Sequence, residues 1–165
     1  MAFSSSAALW FLPFVLPLCL YVAYTDLALM KITNKAVVTL GAIYVILGPF
    51  VLPSIEAYLW GFAQFAIALG VGFVLNAIGA MGAGDAKFIA FAAPFIAPGD
   101  LPRVVLLFTC ILLAALLTHR GARASRLRDL APDWVSWSQG KRFPLGLALG
   151  PTLALYLCLS ALNGA

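Results

Sequence analysis

The stretch "YLWGFAQFAIALGVGFVLNAIGAMGAGDAKF", residues 58–88, carries no charge from Tyr58 through Gly84, then places a carboxylate at Asp85 and an ammonium at Lys87. A helix crosses the hydrocarbon core of a bilayer in about 20 apolar residues, and the run from Tyr58 to Ile78 has that length. Only helices and closed barrels span membranes, because every backbone amide there needs a partner within the protein. The ten-residue alternation of a membrane barrel is not present, so this run reads as a transmembrane helix and the chain as all-α.

Outward from it the same texture repeats. Apolar stretches occur at Ala7–Tyr24, Ala36–Leu52, Tyr58–Ile78, Ala86–Ala97, Val104–Thr118 and Leu145–Leu162, which predicts a six-transmembrane-helix bundle forming one polytopic membrane domain over residues 1–165. Composition agrees: 64% of the 165 residues are hydrophobic and only 10% charged, against roughly a quarter charged in a soluble domain. The fourth stretch is short for a bilayer and contains Pro94, so it is expected to borrow residues from its flanks or to thin the membrane locally. No basic residue precedes the first run and no small-residue cleavage site closes it, so it reads as a retained helix, with the mature chain starting at or near Met1. Cys19, Cys110 and Cys158 lie inside apolar runs without C-x-x-C spacing and read as reduced packing residues.

The basic residues predict the orientation, since cytoplasmic loops retain Lys and Arg. Lys31, Lys35, Lys87, Arg120, Arg123, Arg126, Arg128, Lys141 and Arg142 fall after spans one, three and five, whereas Arg103 alone falls on the opposite side. Both termini are then expected outside and the loops at 25–35, 79–87 and 119–144 in the cytoplasm. The net charge of +4 is thus a topology signal, with anionic lipid headgroups as sufficient partner and no aromatic-interleaved patch calling for nucleic acid.

Six acidic residues are present. Glu56 and Asp100, beside prolines in the short outer loops, read as solvated turn residues. Asp129 and Asp133 read as local balance for the surrounding arginines. Asp26 and Asp85 differ, since each abuts the cytoplasmic end of a span and both fall at one depth on one side. Ionisable groups in membrane segments usually face a bundle interior or a water cavity. Gly82-Ala83-Gly84 lets the chain turn tightly and sets Asp85 just ahead of the next helix, near its positive dipole end.

If the two carboxylates approach to about 4 Å, their repulsion at an effective dielectric near 20 is about 4 kcal/mol, or roughly three pK units. The pair then shares one proton and offers a base and an acid together. Amide hydrolysis requires that arrangement: the ionised carboxylate takes a proton from water as it attacks, and the protonated partner hydrogen-bonds the carbonyl oxygen. No covalent intermediate, metal or cofactor is needed. Lys87 reads either as a group favouring the ionised dyad or as an ordinary membrane anchor. Asn76, within three turns of Asp85, is a candidate for lining the cavity, on a helix face where Ala68, Gly72 and Ala80 permit close packing. His119 reads as a boundary residue without the companions of a metal site. The segment from Arg120 to Phe143 reads as an amphipathic stretch on the membrane surface.

"GAMGAGDAKF" at 79–88 resembles the GxGD motif of the type IV prepilin peptidases, which are membrane aspartic proteases. "YTDLALMKITN" at 24–34 is similar to their other aspartate motif, matching at Lys31, Ile32 and Asn34, with Thr33 where the family usually has proline. "RFPLGLALGP" at 142–151 looks like the family's Pro-x-Gly segment opening the last helix. The resemblance implies Asp26 and Asp85 as catalytic aspartates and Gly82 and Gly84 as the motif glycines. It also implies pilin-like precursors as substrates, cut on the cytoplasmic face between a short basic leader and a hydrophobic helix. The chain lacks the cysteine-bearing insert of the larger members that also methylate, so it resembles the short form serving tight-adherence pilins. Two other classes fit intramembrane carboxylates, an ion- or proton-coupled transporter and a non-catalytic secretion scaffold. Transporters usually show internal repeats or midplane charges, and neither is present here.

Overall fold

The computed structural model describes residues 1–140 and 142–164; Lys141, counted above among the inner basic residues, lies outside the described residues. Six α-helices follow in order: α1 (Ser5–Leu29), α2 (Asn34–Val51), α3 (Ile55–Ala77), α4 (Ala83–Ala92), α5 (Leu101–Ala124) and α6 (Gly146–Asn163). Among the described residues there is no strand, and every helix but α4 is long and apolar enough to cross a membrane. The protein is an all-α, multi-pass membrane bundle.

The helix boundaries follow local chemistry. α1 stops at Met30, which takes the left-handed conformation at φ 52° and donates its amide to the Asp26 carbonyl. α2 starts from Thr33, whose hydroxyl accepts the Ala36 amide at 3.3 Å. Thr is a good helix N-cap, so Thr33, at the position where the resembled motif usually has proline, still makes the turn. Ser54 caps α3 in the same way through the Ala57 amide. Prolines lie inside α1, α2 and α6; in α2 the carbonyl that Pro49 frees, that of Val45, accepts the Tyr58 hydroxyl of α3 at 3.3 Å.

α4 explains how the short fourth stretch is accommodated. Ten residues rise only about 15 Å, half of a hydrocarbon core. The remainder is supplied by 3-10 turns at Ala93–Phe95 and Pro98–Asp100. Irregular backbone at membrane depth must be satisfied by the protein, and here side chains do so: Gln64 donates to the Ile96 carbonyl at 2.7 Å, and the Ala97 amide donates to the Tyr156 hydroxyl at 3.1 Å.

α1 and α6 form the centre of the bundle. They approach so closely that a Cβ at Gly150 would stand 2.5 Å from the Cys19 carbonyl oxygen. Phe11, Tyr44 and Phe95 pack their rings beside this pair, with Phe11 and Phe95 edge to face at 5.0 Å. α3 and α5 are the outer helices, exposed along most of their length. Both termini lie at one end, where the Met1 amino group donates to the Asn163 carbonyl. The turns at 30–33 and 78–82 and the segments 125–140 and 142–145 lie at the other.

Three expectations are corrected here. Asp100 is not a solvated turn residue: it is fully buried and accepts the Ala2 and Phe3 amides at 2.6 and 3.2 Å, the Tyr156 hydroxyl at 3.0 Å and Arg103 at 2.7 Å. Its partners come from both chain ends, so the spacing to Arg103 alone could not show them. His119 is buried and not a boundary residue, because α5 runs on to Ala124 and Trp137 stacks on the imidazole at 5.0 Å. Among the described residues, 120–140 and 142–143 do not form one amphipathic surface stretch. The first part extends α5, and 3-10 turns follow at Arg126–Leu130 and Val135–Ser138.

Candidate active site

At the end of the bundle away from the termini, α1 closes with Asp26 in its last turn and α4 opens with Asp85 in its first turn. The two carboxylates line one cavity of about 410 Å³. Its remaining walls come from the 30–34 turn, from Gly82 to Gly84, and from Lys87. The sequence therefore places the two acids correctly at one depth, and the fold brings them to a common space.

Each acid is held by backbone. Asp26 is buried, 5% exposed, and its Oδ2 accepts the Gly146 amide at 2.6 Å. That amide is an unpaired donor at the start of α6, where the helix dipole favours a negative charge. A Cβ at position 146 would stand 2.9 Å from the same oxygen, so close an approach needs glycine. Asp85 occupies the third position of α4 after its N-cap Gly82, where an acidic side chain reaches back toward the cap amide. Its Oδ2 would lie 2.7 Å from a Cβ at Gly82, and Gly84 packs its α-carbon against Ile32. Both motif glycines thus allow contact, the first with the carboxylate and the second with the turn that follows α1.

Asp85 stands just before the fourth apolar stretch. Burial, and then the charge of Asp26, push its carboxyl up to about 6, against a lowering by the Gly82 amide. A carboxyl that titrates there holds its proton far longer than a solvated one.

The supporting residues divide. Lys87 lines the cavity, but its Nζ donates to Asn34 Oδ1 at 3.1 Å, and among the described residues it forms no ion pair with Asp85. Asn76 does not line the cavity; its Nδ2 donates to the Met81 carbonyl at 2.9 Å and pins the loop before Gly82. This loop turns at Gly79, at φ +75°. Gly72, on the small-residue face of α3, meets Ala86, where a Cβ would stand 3.0 Å from the Ala86 Cβ. Asn34 and the Gly146 amide were the contributors not assigned a role from sequence. Their signals were present in the "KITN" and "PLG" segments, but nothing local tied residue 146 to residue 26.

Such an arrangement can place water between a carboxylate and a carboxylic acid inside a polar pocket at the mouth of an apolar bundle. Compared with known proteins, residues 13–118 match a family model described as Type IV leader peptidase family. No curated protein and no solved structure matched the chain.

Proposed function

The chain belongs to the type IV leader peptidase family, and we propose that it is an aspartic endopeptidase, a single domain over residues 1–165, with Asp26 and Asp85 as its catalytic pair. The observation that carries this reading is that two carboxylates from helices far apart in sequence line one cavity at one end of the bundle. Water bound between them loses a proton to the ionised carboxylate as its oxygen attacks the scissile carbonyl. The protonated partner hydrogen-bonds the carbonyl oxygen and then protonates the leaving amine. Asp85, raised to about 6, is the partner suited to hold the shared proton. Asp26, with one oxygen engaged by Gly146, offers the other to water.

The substrate class is a pilin-like precursor cut between a short basic leader and a hydrophobic helix. On this reading the protein lies in the inner membrane with the cavity end in the cytoplasm and both termini outside; the excess of basic residues in the loops after α1, α3 and α5 supports that orientation through the positive-inside rule. The test is co-expression with such a precursor: Asp26→Asn and Asp85→Asn are each expected to abolish release of the leader while the protein accumulates normally in the membrane. Leader release by either variant would remove the two-aspartate mechanism.

A further inference from the structure

α5 packs on α6 and on the Pro98–Asp100 turn while standing off α4, which leaves an apolar groove of about 340 Å³ between the three helices. At one end the groove is lined by Met81 and Leu145, and at the other by Ile96 and Leu101. The fifteen positions from Met81 to Ile96 rise on the order of 20 Å at helical pitch, most of the depth of a hydrocarbon core. Thr152, the polar side chain in its lining, already donates to the Ala148 carbonyl at 2.7 Å.

The two residues at the inner end are chain neighbours of the site. Met81 precedes Gly82, and Leu145 precedes Gly146, whose amide holds Asp26. The groove is therefore continuous in the chain with both segments that frame the carboxylates. A second apolar hollow of about 460 Å³, between α2, α3 and α4 and lined by Val45, Phe62 and Phe91, lacks this continuity. At the catalytic end α3 closes onto α4 through Gly72 and Ala86.

We propose that the groove between α4, α5 and α6 receives the hydrophobic helix of the precursor and so presents the peptide bond ahead of that helix to the Asp26/Asp85 cavity. This rests on the peptidase reading. Within a bilayer no hydrophobic gain drives helices together, and association comes from van der Waals fit. A groove that takes one face of a helix, with anchors at i, i+3, i+4 and i+7, supplies such fit along the length of the substrate. A peptide bond just beyond the helix end then falls beside Met81 and Leu145, each one residue from a glycine, Gly82 or Gly146, that touches a carboxylate.

A photo-crosslinking phenylalanine placed at Val105, an exposed residue of the groove wall, is combined with Asp26→Asn to retain uncut precursor. The probe is a pilin-like precursor with a basic leader before an apolar helix. Capture of the precursor's helix at Val105, with little at Val45 in the other hollow or at outward-facing Leu113, is the expected result. Capture of lipid alone at Val105, or of precursor at Val45, overturns the groove. In the otherwise unaltered protein, Val105→Trp is expected to raise KM for the precursor about tenfold with kcat within twofold. Leu113→Trp is expected to leave both unchanged. Equal KM for the two tryptophan variants also overturns it. Leader release by Asp26→Asn would instead sink the dyad and leave the crosslinking result to stand or fall by itself.

Discussion

At the scale of single residues, the site depends on atoms brought closer than an ordinary side chain allows. Gly146 is the clearest case. Any Cβ there enters the Asp26 carboxylate, so Gly146→Ala is expected to lower kcat at least tenfold while membrane insertion and helical content stay unchanged, as read by precursor cleavage and circular dichroism. Asp85 sets the pH response. Its raised value means that the folded state still binds a proton where the unfolded chain has lost it, so this residue's contribution to stability falls as pH rises from the ordinary carboxylate range through about 6. In the proposed mechanism it holds the shared proton, so kcat/KM is expected to fall about tenfold per unit of pH above about 6, measured in detergent or vesicles with a purified precursor. At this scale the sequence was informative where chemistry is local. The GxGD segment and the Asp26 segment were legible in adjacent residues, by the glycines and by the resemblance of both motifs, whereas the capping role of Thr33 emerged only with the fold. Asp100 could not, because its acceptor role depends on amides at Ala2 and Phe3 and a hydroxyl at Tyr156, and no short-range pattern signals them.

Among the elements, α4 departs most from a simple membrane helix. Its shortness brings the start of the helix, and with it Asp85, to the depth of the end of α1. The cost is a stretch of irregular backbone between residues 93 and 100 that Gln64 and Tyr156 satisfy. Gln64→Leu leaves the Ile96 carbonyl without that donor, and a buried polar group left unpaired costs about 1–3 kcal/mol. A Tm several degrees lower in detergent, with a smaller relative loss of cleavage, is the expected outcome. An unchanged Tm would mean that another donor replaces Gln64. The apolar pattern revealed that the fourth segment was short and interrupted by Pro94. It could not reveal which neighbours complete it, since Gln64 lies 32 positions from its partner and Tyr156 lies 59. The segment after α5 departs from its reading for a related reason: spacing suggested one amphipathic stretch on the membrane surface, whereas Trp134 meets Tyr24 edge to face and Trp137 stacks on His119, with the chain in turns between them.

For the whole molecule, the two ends of the bundle differ in chemistry. One end is a staple of Asp100, Arg103, Tyr156 and both termini. The other holds the polar cavity. With the basic loops at the cavity end, cysteine labelling from outside the cell is expected to reach positions near Ser4 and Ser54 and to miss positions near Lys35 and Ser125; the reverse pattern would invert the topology. Six apolar stretches and two edge carboxylates pointed to the end that holds the polar cavity, because membrane burial leaves so few places for charge; the staple at the other end, with Asp100 at its centre, was not legible in the sequence. The central claim is that the fold couples Asp26 and Asp85 into one proton-sharing pair, and carboxyl-carbon NMR of labelled aspartate tests it most directly. The Asp85 signal is expected to titrate near pH 6 in the unaltered protein and at distinctly lower pH in Asp26→Asn, where the neighbouring charge is gone. An Asp85 midpoint that is the same in both proteins would contradict it.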